Sequence, residues 1–456
     1  MVKDEVKNSF LNKMIVVILL ALLVLMPFGT FLIQMVKLFF EHIDVGLPNI
    51  AIKALYGWKE ILLILGLLLV LVRMIFEKKF PFKINKFDIV IFLIMLFGLV
   101  YGGLLVGRMD RIIYGFRYDF LVFLFYFLAR SIKITKESIL KYIKVIIYLS
   151  IPIMLFGIAQ TFILPRGFMT LFGYSLNDSV TGNPLPPYHL VGGIVRAMAT
   201  FPGPNSLAMY LVFIFFAVLF LGKKLFSKYL KYLLLLLSFF TLIITFSRGH
   251  IFSLVFAAVL SLIFFGYLVR AKEKITKKFL VSRSVIATLI LILFSILIFF
   301  GTFWLADLSK NQNSTIGSII LRESSTEMHS FMRNLAIEPI KKQPWGYGIG
   351  TAGLATTNIA DAKFNPESWP VQLIFEYGWF GLLFFILIIY SGFNLFFELF
   401  SRATNPNQKS FVLFFATFFM AIIISTNFLP SWFEVGSLMW WILWGVFLSY
   451  RLEKNN

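Results

Sequence analysis

The chain has 456 residues, of which 59% are hydrophobic and only 14% charged. That much apolar side chain cannot be hidden in one soluble core, so a water-soluble catalytic domain is excluded and an integral membrane protein is predicted. The formal charge of +20 would suggest nucleic acid in a soluble chain. In a membrane protein, short basic loops that fix orientation account for it, and no nucleic-acid partner is expected. Cysteine is absent, which removes disulfides, thiol nucleophiles and thiolate metal sites.

In chain order, the segment MVKDEVKNSFLNK leads into an apolar run without a small-x-small cleavage signal and reads as a retained first helix. Apolar spans follow at 14–33, 61–76, 87–105, 112–129, 142–164, 205–221, 229–246, 249–269, 284–305, 370–390, 410–427 and 435–450. They predict an all-α, polytopic membrane fold of about twelve helices, a single transmembrane domain over residues 1–456. Lys78, Lys79, Lys83 and Lys86, then Arg130, Lys133, Lys136 and Lys141, then Lys223, Lys224, Lys228 and Lys231 gather in alternate short loops. The densest cluster runs from Arg270 to Arg283. By the positive-inside rule these loops and both termini are cytoplasmic, and the long connections 165–204 and 306–369 are extracytoplasmic. Long loops inside a compact domain are uncommon unless functional.

The first of these loops ends GGIVRAMATFPGPNSLAMY. Arg196 follows Gly192 and Gly193, and Asn205 or Ser206 is placed to cap the next helix, whose N-terminus would then face the loop. The stretch IITFSRGHIFS puts Ser247 and Arg248 in a tight connection between two spans on the same side. The positive-inside bias gives no reason for a cation there. Arg196, Arg248 and a helix N-terminus make an anion cradle, and two guanidinium forks suit a diphosphate. Snorkelling to headgroups or pairing with a loop carboxylate is the alternative for either arginine.

In the loop 306–369, Ser324 and Glu327 offer a capping box, and Met328, Phe331 and Leu335 recur on one face of an amphipathic helix. KKQPWGYGIGTAG follows, in which Gly346, Gly348 and Gly350 read as helix termination and close backbone packing, not as a nucleotide loop. NPESWPVQLIFEYGWFGLLFF then sets Glu367 at the mouth of a span, with Gln372 and Glu376 deeper. Glu376 reads as structural and Glu367 as open to acid–base chemistry. The four histidines, His42, His189, His250 and His329, show no metal-ligand spacing, so no metal or other cofactor is expected. His329, on the loop helix, is the one set apart for chemistry.

Taken in order, GGIVRAMATFPGPNSLAMYL, TFSRGHIFSL, HSFMRNLAIEPIKKQPWGYGIGTAG and ESWPVQLIFEYGWFGLLFF resemble the O-antigen ligase and polymerase superfamily over residues 190–390. The resemblance implies a metal-independent, inverting glycosyltransferase of GT-C type at the outer face of the bacterial cytoplasmic (inner) membrane. It implies an undecaprenyl-diphosphate-linked glycan as donor and a glycan, lipid A-core or other glycosyl group as acceptor, with membrane lipids around both. Carried over, Arg196 and Arg248 match the arginines taken to hold the donor diphosphate. Glu367 stands where the ligases that act on lipid A-core carry a histidine, which weakens the ligase reading while leaving a proton acceptor in place. His329 could share that work. A lipid-linked oligosaccharide flippase or secondary transporter is the rival reading; Arg117 and Asp119, inside a span, favour it most.

Overall fold

The computed structural model describes residues 2–43, 49–175, 185–270, 282–294, 296–297, 323–358, 364–429 and 431–453. Much of the loop 306–369 and the basic loop 270–283 lie outside the described residues. The helices are α1 (Val2–Leu25), α2 (Gly29–His42), α3 (Asn49–Tyr56), α4 (Trp58–Glu77), α5 (Lys86–Val106), α6 (Met109–Asp119), α7 (Leu121–Arg130) and α8 (Lys136–Phe162). After them come α9 (Pro204–Leu225), α10 (Lys228–Ile244), α11 (Arg248–Arg270), α12 (Ser282–Phe294) and α13 (Glu323–Lys342). The last are α14 (Trp369–Tyr377), α15 (Trp379–Ser401), α16 (Pro406–Ser425) and α17 (Val435–Glu453). Among the described residues seven helical segments are long and apolar enough to cross a membrane, or eight if α6 and α7, bent by 55°, form one span. The chain is thus an all-α integral membrane protein, with one short antiparallel pair, β1 (Leu190–Val191) and β2 (Ile194–Val195), among the described residues.

The side chains show why these helices need lipid. On α4, Ile61, Ile64, Leu65, Leu68, Leu71, Val72 and Ile75 are exposed, whereas Leu63, Gly66, Val70 and Arg73 are buried. An apolar stripe on the outside has no soluble explanation, and acyl chains supply one. Gly66 lies on the inner stripe because a Cβ there would come within 2.7 Å of Leu128.

Two compact units divide the chain: residues 1–83, 124–251 and 434–456, and residues 84–123 and 252–433. The first is organised on α9, buried along nearly its whole length. Helix α17 packs against it closely enough that a Cβ on Gly436 would lie 2.7 Å from the Met209 carbonyl oxygen. Trp440, Trp441 and Trp444 are fully buried beyond that contact. In the second unit, α5 opens with a reciprocal cap, Asn85 Oδ1 accepting from the Asp88 amide (2.9 Å) and Asp88 from the Asn85 amide (2.8 Å).

Three local expectations change. The span expected at 370–390 is two helices, α14 and α15, parted at Gly378, whose φ of +60° leaves the helical region. Ser324 lies within the described extent of α13, Glu323–Lys342, and so is inside the helix instead of capping it. Helix α9 is capped by Gly203 with Pro204 in its first turn and has no side-chain cap, so neither Asn205 nor Ser206 serves as one. Ser206 is instead hydrogen-bonded to the carboxyl of Glu434. The protein's own acid therefore meets the end of α9 where a ligand anion had been expected.

Candidate functional site

The first unit holds a polar cluster around Arg196. Gly192 and Gly193, at φ of +54° and +81°, turn β1 into β2, and the hairpin closes with the Arg196 amide donating to the His189 carbonyl (2.9 Å). The chain then folds inward through Ala199, a non-glycine residue at φ +49°. Gln160 of α8 secures this turn: its Oε1 accepts from the Ala199 amide (2.7 Å) and its Nε2 donates to the Ala199 carbonyl (3.2 Å). Gln160 is 6% exposed, and its place in the apolar end of α8 was the sequence signal for this role.

Arg196, 7% exposed, donates from Nε to the Thr245 carbonyl (2.7 Å) and from an NH2 nitrogen to Asn205 Oδ1 (3.2 Å). Ser247 Oγ donates to the same Asn205 oxygen (2.9 Å) and lies 2.8 Å from His250 Nδ1. The single Ser247 hydrogen is thereby committed to Asn205, so the hydrogen between Ser247 and His250 belongs to Nδ1. A serine nucleophile needs the reverse polarity, with histidine accepting from the hydroxyl. Ser247 and His250 therefore hold the connection between α10 and α11 and do not form a nucleophilic pair. Phe246, at φ +51°, completes that turn.

Arg248 is the first residue of α11 and is exposed. A cation at this end opposes the helix dipole, so the helix itself gives no reason for it. Arg196, Asn205 and Ser247 are joined by hydrogen bonds, and Arg248 follows Ser247 in the chain.

The second unit holds a different construction. Asp119, fully buried, accepts from Gln372 Nε2 (2.8 Å) and from the Tyr377 hydroxyl (2.8 Å), and its carboxyl is paired with that of Glu376. Glu376 accepts from the Ala352 amide (3.1 Å). The loop that follows α13 docks on this core: Tyr347 and Gly348 amides donate to the Phe375 (2.9 Å) and Glu376 (2.8 Å) carbonyls, and Ile349 to Gly102 (3.2 Å). Gly346, Gly348 and Gly350 all have positive φ, at +93°, +96° and +71°. A Cβ on any of them would strike backbone, that of Glu376, Gly102 and Arg111 respectively. The glycines allow this close packing, and Glu376 is held inside the fold by Asp119 and the Ala352 amide. Asp119 joins them through partners more than 250 residues away.

Glu367 lies just before α14, half-buried, at φ +52°. Holding a non-glycine residue there costs on the order of 1–3 kcal/mol, strain that concentrates at functional positions. Its amide donates to Asn365 Oδ1 (3.0 Å). Arg333 of α13, 1% exposed, donates to the Asn427 carbonyl. Burial pushes its guanidinium down to about 10 while the charge of Glu367 works the other way. Arg333 was not anticipated; its position one turn after His329 was the available signal. The backbone of His329 is in α13, but its side chain lies outside the described residues.

Comparison with known proteins gives a match to the family model described as O-antigen ligase, over residues 233–386. No curated protein and no solved structure matches. The matched segment carries Ser247, Arg248, Arg333, the glycine loop, Glu367, Gln372 and Glu376, and stops short of Arg196. Residues 233–386 are thus similar to the O-antigen ligase family, and the match lies on most of the motifs that carry the resemblance read from the sequence.

Proposed function

We propose that the protein is an inverting, metal-independent glycosyltransferase of bacterial surface polysaccharide assembly. It would transfer a glycan from undecaprenyl diphosphate to a sugar hydroxyl at the outer face of the cytoplasmic membrane. Twelve spans, cytoplasmic termini and extracytoplasmic loops at 165–204 and 306–369 belong to this reading. The observation that carries it is Arg248, exposed at the positive end of α11 and joined through Ser247 and Asn205 to buried Arg196. Two guanidinium groups close together in the chain's fold suit the diphosphate of the donor, since each presents a planar fork of donors to phosphate oxygens. Their charge stabilises the leaving diphosphate as the anomeric C–O bond breaks. Glu367 takes the proton of the acceptor hydroxyl, whose oxygen forms the new bond from the opposite face. Asp119, the acid that most favoured a transporter, is engaged by Gln372 and Tyr377.

The test is turnover. Purified protein is incubated with labelled undecaprenyl-diphosphate oligosaccharide, and released lipid diphosphate and lengthened glycan are separated by chromatography. Lengthened lipid-linked glycan identifies a polymerase, and transfer only to added lipid A-core a ligase. Arg248→Ala should lower turnover by about 10²-fold or more while leaving folded protein intact. Facilitated movement of the intact donor across the bilayer without bond cleavage would establish a flippase instead.

A further inference from the structure

The hairpin before Arg196 presents apolar side chains where a soluble turn would present polar ones: Leu190 and Ile194 are 40% and 44% exposed. Its attachments fix where they lie. The Ala197 amide donates to the Ile244 carbonyl at the end of α10 (3.0 Å). At the hairpin tip, the Gly193 carbonyl accepts from Arg166, just past the end of α8 (2.9 Å). The hairpin is thus strung between the ends of two helices. Both helices show an apolar face up to those ends. Tyr148, Leu155 and Phe162 are exposed on α8, and Leu233, Leu236, Phe240 and Ile243 on α10. Phe162 and Phe240 stack at 6.2 Å and 19°. Leu171, on the short helical turn Phe168–Phe172 that follows α8, is 66% exposed.

We infer that the Leu190–Val195 hairpin is an interfacial lipid contact, with Leu171, Leu190 and Ile194 extending the lipid-facing surface of α8 and α10 into the headgroup layer. The occupant is bilayer phospholipid because the surface continues one that acyl chains already cover. Arg166, exposed at the hairpin tip, adds the cation that anionic headgroups attract. The hairpin then sets Arg196 at the depth of lipid phosphates, a consequence that rests on the glycosyltransferase reading; the depth itself does not.

The absence of cysteine makes a direct test available. Ile194→Cys, with Phe162→Cys as the lipid reference and Thr404→Cys as the aqueous one, is labelled with a small fluorophore. Each is reconstituted in nanodiscs of phosphatidylethanolamine and phosphatidylglycerol. The expected result is strong quenching of the Ile194→Cys label by headgroup-level and shallow acyl-chain nitroxide lipids, and several-fold weaker quenching by iodide than at Thr404→Cys. Quenching by iodide alone overturns the inference. Protection from both quenchers also overturns it, in favour of a covering protein. A lipid-embedded hairpin in a protein that turns over no donor would sink the glycosyltransferase reading alone; a water-exposed hairpin in an active enzyme would sink this inference alone.

Discussion

Arg196 and Arg248 were assigned one role from sequence, and the structure gives them different mechanical standing. Arg196 is buried and spends its donors on Thr245 and Asn205, so its planar fork is part of the fold. Lysine, with a single nitrogen, cannot reach two acceptors that Arg196 meets from two separate nitrogens. Arg196→Lys should therefore destabilise the protein by about 1–3 kcal/mol, read as a lower unfolding temperature in detergent. Arg248 is exposed, and Arg248→Ala should stay within about 0.5 kcal/mol of wild type while lowering turnover by about 10²-fold or more. Equal loss of stability in both variants would refute this division. The sequence showed that these positions needed explaining, because a cation beside apolar spans is costly wherever it falls. It did not show which arginine is buried, since that depends on carbonyls delivered by a different helix.

At the level of elements, the glycine loop and the acid pair behave as one fitting. Gly350 sits at φ +71° against the Arg111 carbonyl. Gly107 sits at φ +60° with nothing within 4 Å. Gly107→Ala should cost about 1–2 kcal/mol, the left-handed backbone penalty alone. Gly350→Ala adds overpacking of about 1–3 kcal/mol to that penalty, so the two melting curves should separate clearly. Asp119→Ala strands the Gln372 amide and the Tyr377 hydroxyl in a buried site, at about 1–3 kcal/mol for each donor. Asp119→Asn keeps an acceptor for one of them and should fall between Ala and wild type in thermal unfolding. The glycines were legible because three positive-φ positions in close succession leave few other residues possible. The break between α14 and α15 was not, because Gly378 interrupts a run whose hydropathy is continuous; only the approach of Pro344 to that glycine reveals it.

For the whole molecule, orientation follows from loop charge and can be read on intact cells. Arg166→Cys should react with a membrane-impermeant maleimide from outside, and Lys133→Cys only after permeabilisation; the opposite pattern would invert the topology and move Arg196 to the cytoplasmic side. Membrane residence was determined by the sequence alone, because hydropathy is a sum over neighbours in the chain and needs no knowledge of contacts. The similarity to the O-antigen ligase family over residues 233–386 was also legible, since its motifs are local and ordered. The count of spans was less so: α10 is a 17-residue helix, α4 carries four charges near its ends, and α6 and α7 bend at Phe120. What only the tertiary structure decided is which polar groups meet. Asp119 finds Gln372 and Tyr377, and Arg196 finds Thr245, across separations that no local periodicity encodes. In an apolar interior each buried donor and acceptor must find a partner, and the folded chain alone determines which partners are within reach.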